Sequence, residues 1–307
     1  MKIAVYGTGG VGGYFGGRLA RSGVDVHFIA RGSHLAALRS GGLRVASVHG
    51  DFALRPVAVT ADPGEIGPVD YVLVTVKSHH TERVAAGLAP LLHEHTAVVS
   101  LQNGVDNEEK LAVAVGEHRV VGGAAYIFST ISQPGTIEHT GGPTAIAVGE
   151  WTAGRSERVG RLVEACRAAG FGAEESDNIR VTLWTKFAFI CALAGTTAAI
   201  RLPIGEVRAA PASRELFRRV AAEVCEVARA EAIPLPADVP ERHVAFTDGL
   251  EPGGYSSLHH DLTHGHAMEL DSLLGEVVRR GARAGVATPM SEALYAVLQP
   301  WDLRADR

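Results

Sequence analysis

The opening stretch KIAVYGTGGVGG constrains this chain more than any other part of it. A β-prone run, residues 2–6, leads straight into a turn that matches G-x-G-x-x-G, with Gly16 one helical turn further on. With 36 glycines in 307 residues, a bare match carries little weight, so its setting decides. Here the turn follows a strand and opens a helical pattern, 11–22, that runs on to a second apolar segment. In such a βαβ unit the glycines allow a tight turn, close approach of the backbone to a pyrophosphate, and close packing of helix on strand. The helix N-terminus adds unpaired N–H groups and the positive end of its dipole. Gly7, Thr8, Gly9, Gly10, Val11 and Gly12 are therefore the candidate dinucleotide-binding turn.

The pattern continues as short apolar runs separated by helical stretches, with strands expected over 2–6, 25–30, 71–76, 97–101 and 120–126. That alternation predicts an α/β fold, a Rossmann-type doubly wound and mainly parallel sheet. Alternation over 136–149 and the pair Gly141-Gly142 predict a final antiparallel hairpin. An amphipathic helix is expected over 155–169, closed by Gly170. After Asp177 the strand signals stop, and helices are expected over 179–200, 212–231, 240–248, 256–284 and 291–298. Ile233-Pro234-Leu235-Pro236 reads as a connection among them. This shift predicts two domains, a nucleotide-binding one at 1–177 and an all-helical one at 178–307.

A net charge of −5 offers no basic footprint, which argues against nucleic acid or an anionic membrane as partner. The longest uncharged apolar run, 187–200, falls short of the roughly 20 residues that a membrane helix needs. The start of the chain reads as a strand and not as a secretory signal. Cys166, Cys191 and Cys225 form no CxxC pair and are expected as buried, reduced thiols of a cytoplasmic protein.

Cofactor choice is read at the end of the second strand, Ile29-Ala30-Arg31-Gly32-Ser33. An NAD site usually carries an acid there for the ribose 2′-hydroxyl. None is present, and Arg31 can make a charge-assisted bond to a 2′-phosphate, which points to NADP(H). Lys77 and Asn103 follow two further strands, where such a sheet exposes its ligand crevice. Lys77 suits a cofactor phosphate or ribose, and Asn103 offers a donor and an acceptor near the nicotinamide.

The chain has only four lysines against 25 arginines, yet Lys186 stands alone in the apolar stretch LWTKFAFICALAG. On a helix it shares a face with Ile190 and Ala194. Such neighbours desolvate an ammonium, lower its pKa and suit it to proton donation near neutral pH. Glu269 is its candidate partner, with Ser257 three turns earlier if one helix spans both. His260 and His264 have the i,i+4 spacing that can hold zinc. No HExxH accompanies them, and no metal is expected.

In this order KIAVYGTGGVGG, the Arg after the second strand, VTVK, LQNGVDNEE, HTGG before VGE, NIRVTLWTKF, the SS…ELD block and GVATP resemble the ketopantoate reductase family, the 2-dehydropantoate 2-reductases. The resemblance implies an NADPH-binding domain, a helical substrate domain and an active site in the cleft between them. It implies that Lys186 polarises and protonates the keto oxygen while nicotinamide delivers hydride, with Glu269 supporting the lysine and substrate. Ser257 matches a substrate carboxylate contact, Asn103 the crevice asparagine, and Arg31 and Lys77 positions that favour NADP. The family also places two asparagines after the lysine on its face, where this chain has Ile190 and Ala194. The expected substrate is therefore a 2-oxo acid or related carbonyl that is less polar on that side. Alternatives are another carbonyl or imine, or a non-catalytic NADP-binding regulator. A homodimer is a candidate assembly.

Overall fold

In the computed structural model, which describes residues 1–152 and 154–305, the opening run forms strand β1 (Lys2–Tyr6), buried from Ile3 to Tyr6. It is followed by helix α1 (Gly10–Arg21), β2 (Asp25–Ile29), α2 (Gly32–Gly41), β3 (Leu43–Ser47), β4 (Phe52–Leu54) and β5 (Val59–Thr60). Next come β6 (Tyr71–Val74), α3 (Thr81–Ala86), β7 (Ala97–Ser100), α4 (Asn107–Val115), β8 (Val120–Gln133), β9 (Thr136–Glu150), α5 (Glu157–Ala168) and β10 (Gly172–Glu175). The strands make one sheet in the order β4-β3-β9-β8-β7-β6-β1-β2-β5, with β10 against β9. β1, β2, β5, β6, β7 and β8 pair in parallel. Antiparallel pairing enters with β8 on β9 and β3 on β4. Continuous apolar runs such as the buried YVLV of β6 suit a sheet covered on both faces.

The structure corrects the expected hairpin. β9 runs straight through Gly141-Gly142, and the chain reverses at Pro134-Gly135, which joins β8 to β9. The glycine pair sits where the register between the two strands shifts, from Tyr126↔Ala145 to Phe128↔Gly141. It takes up an irregularity within a ladder, which glycine in a strand also signals. The short strands β3, β4, β5 and β10, two to five residues each, carry no comparable pattern and were not expected.

The chain divides into two compact units. One comprises 1–102 and 106–179, the other 103–105 and 180–307. The second unit is helical: α6 (Ile179–Ile200), α7 (Ile204–Ala209), α8 (Pro211–Ala230), α9 (Val239–Asp248), α10 (Ser257–His264), α11 (Glu276–Ala284) and α12 (Pro289–Ala305). Its core joins Phe187, Ala188 and Cys191 of α6 to Val220 and Val224 of α8 and to Leu294 and Leu298 of α12. At 22 residues α6 is long and apolar enough to cross a membrane, because Ile179, Val181, Leu183 and Trp184 extend the run that begins at Phe187. Two thirds of its apolar window is buried within the fold (67%), the setting of a core helix.

The single helix expected over 256–284 is instead broken. α10 closes at Gly265, which adopts the left-handed conformation (φ 68°) that ends helices. The chain returns to helix through a π turn, Asp271–Gly275, leading into α11. All three cysteines are buried. Burial pushes the thiols of Cys166 and Cys225 up to about 12 and raises that of Cys191 as well.

Candidate active site

Within the first unit the glycine turn is tied to the end of β2. The Gly7 amide donates to the Ile29 carbonyl (3.2 Å), as does the Thr8 hydroxyl (3.1 Å). Gly7 itself requires a positive φ (109°), and the Thr75 hydroxyl donates to its carbonyl at 2.6 Å. The four glycines then divide their work. A Cβ on Gly7 would lie 2.7 Å from Val76, one on Gly12 would run into the Gly7 carbonyl and Thr75, and one on Gly10 would strike the Ser129 carbonyl of β8. Gly9 alone of the four has no atom within 4 Å of a Cβ built on it. Its backbone is the part of the turn that a ligand can approach. No acid stands in the first turn of α1, so the positive end of that helix is not neutralised by its own side chains.

Arg31 is exposed, at the position preceding α2. Lys77 is half-buried and precedes a 3-10 turn, Ser78–His80. Gln102 holds that loop: its Nε2 donates to the Val76 carbonyl (3.0 Å) and to the Thr81 hydroxyl (2.8 Å). The Thr81 hydroxyl in turn lies 2.8 Å from the Ser78 carbonyl and 2.7 Å from Asn107 Oδ1. This buried network fixes the segment after β6 against the start of α4. Sequence reasoning passed over Gln102 and Thr81, although polar residues just beyond two adjacent parallel strands were the available signal.

In the second unit the Lys186 ammonium, half-buried on α6, donates to Asn103 Oδ1 at 3.1 Å. Asn103 is there because 103–105 belong to the helical unit, with Val105 (2% exposed) in its core. Ile190, one turn on from Lys186, is half-buried, whereas Ala194 is 1% exposed and sits inside the core. Further along the same face lies the buried Thr197, which donates to the Leu193 carbonyl (2.7 Å) and pairs with Ser256 Oγ (2.8 Å). Since the Thr197 proton is taken by Leu193, Ser256 donates to Thr197 and accepts from the His259 amide (3.1 Å). Ser256 is thus the N-cap of α10. Neither Thr197 nor Ser256 was singled out by the sequence. Ser257, its neighbour, is the exposed first residue of α10. Glu269 is half-buried just before the π turn and its carbonyl accepts from the Leu273 amide (3.0 Å). Ser257 and Glu269 therefore lie on different elements, not on one helix.

The histidines around α10 stack on one another. The rings of His260 and His264 are 4.1 Å apart, and those of His264 and His266 are 5.9 Å apart. Among the described residues, no group of three or more His, Cys, Asp or Glu side chains is arranged to hold a metal ion.

Two family models match the chain in succession: ketopantoate reductase PanE/ApbA over residues 3–153, and ketopantoate reductase PanE/ApbA C terminal over residues 178–301. The chain belongs to the ketopantoate reductase family. An uncharacterised oxidoreductase of Bacillus subtilis, YkpB, is 32% identical over 98% of this chain and 99% of its own. A 2-dehydropantoate 2-reductase of Mesorhizobium japonicum is also 32% identical, over 97% of each chain. Among solved structures, 2-dehydropantoate 2-reductase from Geobacter metallireducens superposes with a TM-score of 0.92 at 33% identity, covering 98% of this chain and 99% of that one. The chain is an oxidoreductase with the Rossmann-type sheet and helical C-terminal region of this family.

Proposed function

We propose that this ketopantoate reductase family member reduces a 2-oxo acid to a 2-hydroxy acid, with NADPH as the reductant and Lys186 as the proton donor. The observation that carries this reading is the Lys186–Asn103 hydrogen bond (3.1 Å) on the half-buried face of an apolar helix. Hydride arriving at a carbonyl carbon leaves negative charge on the oxygen, which has to be stabilised and protonated. An ammonium offers three N–H donors, and Asn103 Oδ1, by accepting one, orients the group before substrate arrives. Glu269 supports the lysine in this reading, and the exposed Ser257 hydroxyl receives the substrate carboxylate.

The first unit fits the cofactor. Gly9 leaves its backbone open, the start of α1 carries no acid, and no acid follows β2 beside Arg31. The turn Gly7 to Gly12 would hold the pyrophosphate, and Arg31 and Lys77 the 2′-phosphate. When bound, the nicotinamide supplies the hydride.

Ile190 on the lysine face, with Ala194 enclosed in the core beyond it, offers a substrate no polar side chain there and favours one less polar than 2-dehydropantoate. A pocket that pairs a substrate hydroxyl gains its discrimination from polar groups left unsatisfied by other substrates, and neither side chain offers one. The test is an NADPH-oxidation assay comparing 2-dehydropantoate with unhydroxylated branched and aromatic 2-oxo acids, with NADH as control. Turnover is expected to be higher on an unhydroxylated acid, and Lys186→Ala should lower kcat by about a hundredfold or more. Normal turnover by Lys186→Ala would refute the lysine's role. A clear preference for 2-dehydropantoate would refute the less polar substrate.

A further inference from the structure

The strand order β6-β1-β2 places the segments that follow β6 and β2 on one edge of the sheet, on either side of the glycine turn. Arg31 follows β2. After β6 come Lys77, the turn Ser78–His80, and α3 with Arg83. The rings of His79 and His80 meet edge to face with centroids 4.1 Å apart, which fixes the second imidazole against the first. The surrounding elements carry Glu82 and Arg83 on α3, Arg31 and His34 at the start of α2, Lys77 and His79 on its own segment, and Glu109 and Lys110 on α4. Of these, the groups that act most strongly on His80 are all basic: His79, Arg83 and Arg31.

Burial, and then those three neighbours, hold the His80 imidazole neutral, lowering its pKa from 6.5 to about 4. The ring is therefore kept from its proton by its enclosure first and by these three basic neighbours second. A phosphate monoester arriving there brings nearly two negative charges at neutral pH and reverses the local field.

We propose that His80 is a specificity-determining residue for the cofactor: its imidazole takes up a proton from solvent as the ribose 2′-phosphate settles among Arg31, Lys77 and Arg83, so that cofactor choice depends on pH. The inference rests on the NADPH reading above and adds a residue and a proton to it. The one bond made is the imidazole N–H, to a proton released by solvent; the phosphate remains a dianion and the imidazolium becomes one of its donors. A cofactor without the 2′-phosphate gives His80 no reason to protonate.

The test uses the full chain and reads binding. Titration calorimetry with NADPH and with NADH between pH 5.5 and 8, in two buffers of different ionisation enthalpy, gives affinity and proton uptake together. NMR follows the His80 ring with and without NADP+. Saturation with NADP+ is expected to raise the ring's titration midpoint by roughly three units, the rise that a tenfold effect at pH 6 requires, and NAD+ to leave it in place. His80→Gln should weaken NADPH binding about tenfold at pH 6 and NADH binding less than about twofold. The phosphate's own ionisation, near pH 6, is common to both proteins, so the wild type minus variant difference isolates the imidazole. Retained NADH affinity in the variant establishes that it is folded. Equal weakening for both cofactors, or unchanged NADPH preference and proton uptake, overturns the role of His80 and leaves the NADPH reading standing. Wild-type protein that binds NADH as tightly as NADPH at every pH overturns both.

Discussion

Glu108 lies in the first turn of α4 with 1% of its surface exposed. Neither carboxyl oxygen is hydrogen-bonded within ordinary geometric limits, and Ser100, the Gly123 backbone and Asp106 are its polar neighbours. Burial, the dominant cause, raises its pKa from 4.5 to about 7. Because the folded chain holds this proton more tightly than the unfolded one, the stability it contributes is complete below pH 4.5 and is lost as pH rises through 7. The loss amounts to about 3 kcal/mol. Glu108→Gln, which cannot ionise, should remove that slope, and urea midpoints at pH 5 and pH 8 should lie closer together than in the wild type. An identical pH profile in the variant would contradict the buried, protonated carboxyl. The sequence LQNGVDNEE contains Glu108 but gives no sign of it, since enclosure by β7, β8 and α4 is a property of the assembled sheet.

Elements were legible in proportion to how much of their pattern was their own. β1, β6 and β7 are continuous apolar runs that need little context, and each begins where expected. The strands β3, β4, β5 and β10 borrow their order from the partners they pair with. The helix expected over 256–284 failed because apolar spacing continued across Gly265, while the stop was that residue's left-handed conformation. A sharper test concerns the packing of α1 on β8. Gly9→Ala meets open space at an ordinary φ of −81°, so stability should change by less than about 1 kcal/mol. Cofactor affinity should fall, because the added methyl occupies the approach to the backbone. Gly10→Ala drives the same methyl into the Ser129 carbonyl and should destabilise the fold by about 3 kcal/mol or more. Similar melting temperatures for the two variants would refute this division between a ligand-facing and a packing glycine.

At the scale of the whole molecule, the α/β class and the helical C-terminal region followed from alternation alone, because a βαβ series leaves few other architectures. The candidate site was legible less evenly. Lys186 announced itself as a lone cation in an apolar stretch, whereas Gln102, Thr81, Thr197 and Ser256 are polar residues whose partners lie far away in sequence. Cofactor binding should be visible in global stability. NADPH at a hundredfold excess over its Kd adds about 2.7 kcal/mol to the folded state, a rise of about 5–10 °C in Tm for a unit of this size. A melting curve indifferent to NADPH would count against the cofactor reading.

The three residues 103–105 give the chain an unusual itinerary in time. Asn103 precedes Lys186 by 83 residues, yet it belongs with the unit built from 180 onward. At a ribosome adding about 5–20 residues per second, it emerges about 4–17 s before the helix that contains its partner. The sheet unit can start to fold on the ribosome with this segment still waiting. The lysine's hydrogen bond therefore cannot form until translation has passed α6, and the proposed chemistry waits longer still, until Ser257 and Glu269 have been made.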